Sequence, residues 1–208
     1  MVSAIHIAVR DTSGVQADKV SVTVFRGDSL EFIGLLPDPH ASPADYARDD
    51  LRLDLTGTGN PYYVYDVRKK EFLGANTSIP LNLTPGKAEL FALVPYRIKD
   101  IDLRVKSPVV KIGDTLDFTA SMVLQLSRQL LVKPGRHVLR LEVAGPDGVV
   151  HPSFTKSLEA ERGTVTSSIT VGPDETPGRW VVRVVDVITG KRAERSFMVM
   201  ETGNMIVE

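Results

Sequence analysis

The sequence predicts an all-β protein built as two tandem antiparallel β-sandwich domains, the second immunoglobulin-like. Three observations lead there. Apolar and polar residues alternate with a period of two through most of the chain, the spacing of strands that bury one face. Glycine, proline and aspartate clusters interrupt the alternation about every ten residues, the rhythm of a sandwich. Finally, 208 residues is the length of two domains of about 100 residues each.

The elements follow in chain order. Ile5, Ile7 and Val9 alternate with Ala4, His6 and Ala8. From Lys19 to Arg26 the alternation is strict, with Val20, Val22 and Val24 on one face and Ser21, Thr23 and Phe25 on the other. Leu30–Leu36 follows, then Leu51, Leu53 and Leu55, then Tyr62–Val67, Ile79–Leu83 and Glu89–Val94. Turns are expected at Arg26-Gly27-Asp28, at Gly57-Thr58-Gly59-Asn60-Pro61 and at Pro85-Gly86. Helix signals are scarce, and Ala41–Asp50 has room for a single turn, with Ser42 as N-cap and Pro43 at the first helical position.

The second half repeats the pattern. Ile101, Leu103 and Val105 alternate, and Leu116, Phe118 and Ala120 follow a Gly113-Asp114 turn. Met122–Leu131 reads as strand followed by loop, because Lys133-Pro134-Gly135 stops it. Val138–Val143 leads into the hairpin signal Gly145-Pro146-Asp147-Gly148. Val165–Val171 and Trp180–Asp186 come next, and Ile188-Thr189-Gly190-Lys191 turns the chain into Arg195–Met200. About seven strands are expected in each half. The boundary falls after Pro95, giving domains at 1–97 and 98–208. One faint echo joins the halves: Val64-Tyr65-Asp66-Val67 and Val184-Val185-Asp186-Val187 each end a strand and precede a basic turn.

Composition removes several chemistries. Lys and Arg number 25 against 26 Asp and Glu, leaving no surplus of positive charge to neutralise phosphates, so no nucleic-acid partner is expected. Each half is itself nearly neutral, 10 basic against 12 acidic residues through Arg97 and 15 against 14 after it. The absence of Cys excludes disulfides, thiolate metal sites and cysteine nucleophiles. The start, with Arg10 and no long apolar run, reads as neither a signal peptide nor a membrane span.

Several motifs have both a chemical and a structural reading. Gly27-Asp28-Ser29-Leu30 spells an esterase block, but a nucleophilic Ser29 needs a strand-to-helix turn and a later base. Here the block lies between two strand patterns, so a hairpin turn is expected. Arg26-Gly27-Asp28, an integrin-binding tripeptide by its letters, is read as the same turn. Asp38, His40, Asp45, Asp49 and Asp50 gather oxygen and nitrogen donors in thirteen residues, but their order fits neither the EF-hand loop nor His-Glu-x-x-His. A solvated connection is expected, and no metal or cofactor. Asn76 and Asn82 open glycosylation sequons, relevant in a eukaryotic secretory setting. A glycosidase needs two carboxylates across a cleft, and nothing nominates such a pair. Tyr62, Tyr63, Tyr65 and Phe72 form an aromatic cluster, in which alternation sets Tyr63 and Tyr65 on one face and Tyr62 with Val64 on the other. Tyr63, Tyr65 and Trp180 are the candidates for a sugar-stacking surface, each with a core-packing alternative.

Tyr62–Gly74 (YYVYDVRKKEFLG) followed by Ile79–Pro95 (IPLNLTPGKAELFALVP) resembles the C-terminal all-β domain of bacterial β-galactosidase-like (family 42-like) glycoside hydrolases. Phe32–Asp38 with Ala44-Asp45-Tyr46-Ala47 is similar to the segment that precedes that hairpin. Gly135–Gly148 with Thr176–Gly190 (TPGRWVVRVVDVITG) looks like the immunoglobulin-like module that ends such proteins. In that family the catalytic carboxylates sit on an upstream (β/α)8 barrel. The resemblance therefore implies a non-catalytic accessory module with no catalytic residue of its own. Its partner would be a catalytic domain of the same or a companion polypeptide, with glycan as a further candidate ligand. An extracellular or periplasmic location follows if the parent enzyme is secreted. The alternatives are a carbohydrate-binding module and an immunoglobulin-like surface or adhesion module.

Overall fold

The computed structural model describes residues 6–27, 29–46, 51–56, 62–125 and 133–201. Their regular structure is almost entirely β-strand, in largely antiparallel sheets arranged as sandwiches. The chain divides into two compact units, Met1–Arg97 with Leu126–Lys133, and Ile98–Gln125 with Pro134–Glu208.

In the first unit, β1 (His6–Arg10), β4 (Arg52–Thr56) and β7 (Ser78–Pro80) form a three-stranded sheet in the order β1-β4-β7. The other sheet has five strands, β2 (Val20–Arg26), β3 (Glu31–Pro37), β8 (Glu89–Val94), β5 (Tyr62–Asp66) and β6 (Glu71–Asn76), in that spatial order. The alternation in the sequence sets the inner faces. Val9 from β1, Leu53 and Leu55 from β4 and Ile79 from β7 meet Ile33, Leu35, Val64, Phe91 and Leu93 from the five-stranded sheet in one buried cluster. The β2–β3 hairpin is in register from Val20↔Pro37 to Arg26↔Glu31, and Gly27 N–H donates to Leu30 O at 2.8 Å. Gly34 on β3 leaves a gap in the outer face, and the Phe25 ring lies across it, its Cε2 3.6 Å from where a Cβ would stand. An aromatic ring over a cross-strand glycine restores the packing the glycine lacks.

Helix α1 (Pro43–Tyr46) forms where the N-cap signal placed it. Ser42 Oγ accepts from Ala44 N–H, and Asp45 Oδ2 accepts from Ser42 N–H at 2.9 Å, a reciprocal cap. Tyr46 is buried and its hydroxyl joins two strands, donating to Lys19 O and accepting from Asp38 N–H. The turn expected at 57–61 lies outside the described residues, as do Asp28, Asp49 and Asp50.

In the second unit, β14 (Thr164–Thr170), β11 (Thr115–Gln125) and β9 (Arg97–Val105) form the three-stranded sheet. Its partner runs β10 (Val109–Lys111), β16 (Arg192–Met200), β15 (Gly178–Asp186), β12 (His137–Ala144) and β13 (Lys156–Ala160). Leu139, Leu141 and Val143 alternate inward from β12, as Trp180, Val182 and Val184 do from β15, with Leu116, Phe118 and Ala120 buried on β11. The strand expected from Met122 ends at Gln125, and 126–132 lie outside the described residues. Gly145–Gly148 makes the tight turn, but β12 pairs onward with β13 only after a 3-10 helix at Pro152–Phe154.

The two units share a layout, three strands against five. In sequence order β4, β5, β6, β7 and β8 take the places that β11, β12, β13, β14 and β15 take in the second unit. They differ beside β8 and β15. The second unit fills that place with the strand that follows, β16, and edges it with the three-residue β10, parallel to β16. In the first unit the chain leaves after β8, and the β2–β3 hairpin, inserted before β4, fills the same place from the other direction in sequence. That leaves β2, seven residues long, as the edge.

Candidate functional site

Two buried carboxylates explain the sequence echo. Asp66, 1% exposed at the end of β5, accepts from the backbone N–H of Arg68 and Lys69 at 3.0 and 2.9 Å through Oδ1. Its Oδ2 lies 3.1 Å from Lys69 Nζ, and this partner holds the Lys69 ammonium above the ordinary lysine range. Asp186, fully buried at the end of β15, accepts from Thr189 N–H at 2.9 Å and Thr189 Oγ1 at 2.6 Å. Its other oxygen faces His137 Nδ1 at 3.9 Å, also fully buried. Each aspartate folds its hairpin turn by binding donors that the turn leaves over.

The motif residues are committed in the same way. Ser29 sits in the β2–β3 turn, and its hydroxyl donates to Lys133 O at 3.1 Å rather than to a base. Asp38 Oδ1 accepts from His40 N–H at 2.8 Å. Asp45 pairs with Lys19 Nζ at 2.8 Å, which holds its carboxyl below the usual range and raises the lysine. Among the described residues no group of three His, Asp or Glu side chains gathers as a metal site. No helix among them is long and apolar enough to cross a membrane.

The candidate sugar-stacking rings have unequal exposure. Trp180 and Tyr65 are each 2% exposed, so neither presents a face to a ligand. Trp180 donates its indole N–H to Thr176 O at 2.9 Å and packs on His151, Phe154 and Phe197 at centroid distances of 4.8, 6.2 and 6.3 Å. Tyr63 is half-buried and stacks on Phe72 at 6.3 Å, with the Arg97 guanidinium 4.6 Å above the same Phe72 ring. Phe72, which the sequence groups with Tyr62, Tyr63 and Tyr65, is the centre of this cluster, touching both Tyr63 and Tyr65. The signal for it in the sequence is the parity of β5, which puts Tyr63 and Tyr65 on the outer face.

The second unit holds a further cluster that no motif announced. His151 stands over Trp180 with Nδ1 3.6 Å from Glu175 Oε2. A Cβ on Gly145 would come within 2.8 Å of His151 Nε2, so only glycine lets the turn close against this ring.

Exposed large apolar side chains occur on both units: Val15, Val22, Phe25, Leu36 and Phe72 on the first, and Val109, Val123, Val149, Met198 and Met200 on the second, among the described residues. Phe25 is 57% and Leu36 48% exposed on the outer face of the first unit's five-stranded sheet. With Thr23, Gly34, Arg68 and Leu90 they line a groove of about 410 Å³ beside the free edge of β2.

No family model matches the sequence, and no curated protein matches it. Similarity to solved structures is weak. The adhesin InvE of Yersinia pseudotuberculosis overlaps at a TM-score of 0.36 and 10% identity, over 88% of this chain and 59% of that one. A polysaccharide lyase overlaps at 0.33 and 11% identity, over 88% of this chain and 26% of the lyase. A β-glucosidase from Listeria innocua overlaps at 0.32 and 12%, covering 58% of this chain and 18% of the enzyme. The chain thus spans less than two thirds of the length of each. Overlaps of this strength carry no argument about function.

Proposed function

We propose that this chain is a non-catalytic accessory module of a glycoside-hydrolase-like protein, two β-sandwiches that support or space a catalytic domain. What carries the reading is the use made of its polar groups. Of the residues that the sequence nominated for chemistry, Ser29 binds a backbone carbonyl, Asp38 a backbone N–H and Asp45 a lysine, and the buried Asp66 and Asp186 likewise bind donors of their own turns. A catalytic nucleophile or acid needs its reactive atom turned toward a ligand, with a partner that activates it. The sequence resemblance to the C-terminal domains of β-galactosidase-like enzymes supports the same reading.

The second unit is, on this proposal, immunoglobulin-like. Taking β9, β11, β12, β13, β14, β15 and β16 as strands A, B, C, C′, E, F and G gives A-B-E against C′-C-F-G, a layout of immunoglobulin-related sandwiches. A surface or adhesion role is the second reading, favoured by the long uncovered edge of β2 beside an apolar groove. Both roles work through contact surfaces.

Co-purification separates them. The accessory reading expects the tagged chain to retain a (β/α)8 glycoside hydrolase domain encoded in the same or an adjacent reading frame, and to raise that domain's Tm by several degrees. A catalytic domain that neither binds nor changes in Tm contradicts it.

A further inference from the structure

Sheet edges that remain free in solution are normally shortened, charged or covered. Most edges here follow that rule. β10 has three residues, β13 carries Lys156 and Glu159, and β9 alternates Lys99, Asp100, Asp102 and Arg104 along its length. On β14 the Ser168 carbonyl accepts from Lys156 Nζ. β2 departs from it. Val20–Phe25 is six residues without charge, proline or glycine, and Val22 and Phe25 are 37% and 57% exposed. Among the described residues its one sheet neighbour is β3.

The hydrogen-bond parity of that edge is fixed. Asp38 N–H donates to Lys19 O at 2.8 Å and Gly27 N–H to Leu30 O at 2.8 Å, so the odd-numbered residues of this strand bond to β3. Alternation then turns the N–H and C=O groups of Val20, Val22 and Val24 outward.

We propose that β2 is a self-association edge, at which two copies of this chain pair β2 to β2 antiparallel about Val22 and fuse their five-stranded sheets. This register is charge-complementary. It brings Arg26, at the end of β2 and 3.9 Å from Glu31 Oε1, beside Asp18 in the turn that leads into β2 of the second copy, twice by symmetry, and both side chains are exposed. Val20 lies opposite Val24, Val22 opposite itself, and Phe25 opposite the lysine stem at position 19. The outward groups of the three valines form about six hydrogen bonds across the pair.

The test uses the full chain in sedimentation equilibrium and light scattering. The expected result is a concentration-dependent dimer in the micromolar range. Asp18→Arg weakens it about tenfold, and Asp18→Arg with Arg26→Glu restores it. The chain has no native Cys, so mixing Ser21→Cys with Thr23→Cys protein under mild oxidation gives a disulfide-linked mixed dimer, because these positions face each other across the pair. Far-UV circular dichroism confirms that each variant is folded. A strict monomer at about 200 µM overturns the proposal. So does a dimer that is neither weakened by Asp18→Arg nor trapped by the mixed cysteines, since another surface would then hold it.

Discussion

Trp180→Ala is expected to lower the stability of the second unit by about 4 kcal/mol, the range for truncating a buried aromatic residue. Three losses combine. The indole fills the space between His151, Phe154 and Phe197, so its removal opens a cavity within a ring cluster. Thr176 O loses its donor. The loop before β15 also loses the contact that fastens it, because Thr176 and Glu175 reach the cluster through Trp180 and His151. Trp180→Phe keeps most of the apolar volume and forfeits the hydrogen bond, so its cost is expected near 1.5 kcal/mol. Urea unfolding followed by circular dichroism measures both. Since Trp180 is the one tryptophan, selectively excited tryptophan fluorescence of the parent chain reports the second unit. A Trp180→Ala loss under about 1 kcal/mol would mean that this cluster is not the packed centre described above.

Asp186→Ala is expected to cost about 3 kcal/mol. The substitution strands Thr189 N–H and Thr189 Oγ1 in a turn where Asp186 is fully buried and Thr189 is 9% exposed, and a buried donor left without a partner costs about 1–3 kcal/mol. Asp66→Ala tests the same device in a wetter setting. The freed donors belong to Arg68 and Lys69, which are exposed, so water replaces the carboxylate and the loss is expected nearer 1 kcal/mol. Equal losses at the two sites would falsify the account of burial as the difference between them.

These two aspartates also show where the sequence was informative and where it was silent. The repeated apolar-Asp-Val at residues 64–67 and 184–187 was visible as letters, and it marks one turn mechanism used twice. That both carboxylates are buried could not be read from them, because each follows strand parity inward against the expectation for a charged residue at a turn. The strands that were legible, such as Val20–Arg26 and Trp180–Asp186, alternate large branched residues with polar ones. The strands that were not, β6, β10 and β13, lack that contrast. Glu71–Asn76 is interrupted by Gly74, Val109–Lys111 is too short for a period, and Lys156–Ala160 has Leu158 as its one large apolar residue.

Pairing between distant strands was less legible still. No local pattern says that β3, rather than a strand following β8, lies beside β8, so the free edge of β2 emerged only with the sheet order. The same holds for the aromatic candidates. Parity correctly set Tyr63 and Tyr65 on one face, yet exposure within a face depends on neighbours from other strands, and it separates half-buried Tyr63 from buried Tyr65.

The most direct measurement is turnover of a panel of aryl glycosides by the purified full chain. A module that acts through its surfaces is expected to give no hydrolysis above the uncatalysed rate at any pH from 4 to 9. Steady turnover that a single Asp or Glu substitution abolishes, with folding intact, would contradict the proposal that this chain works by contact.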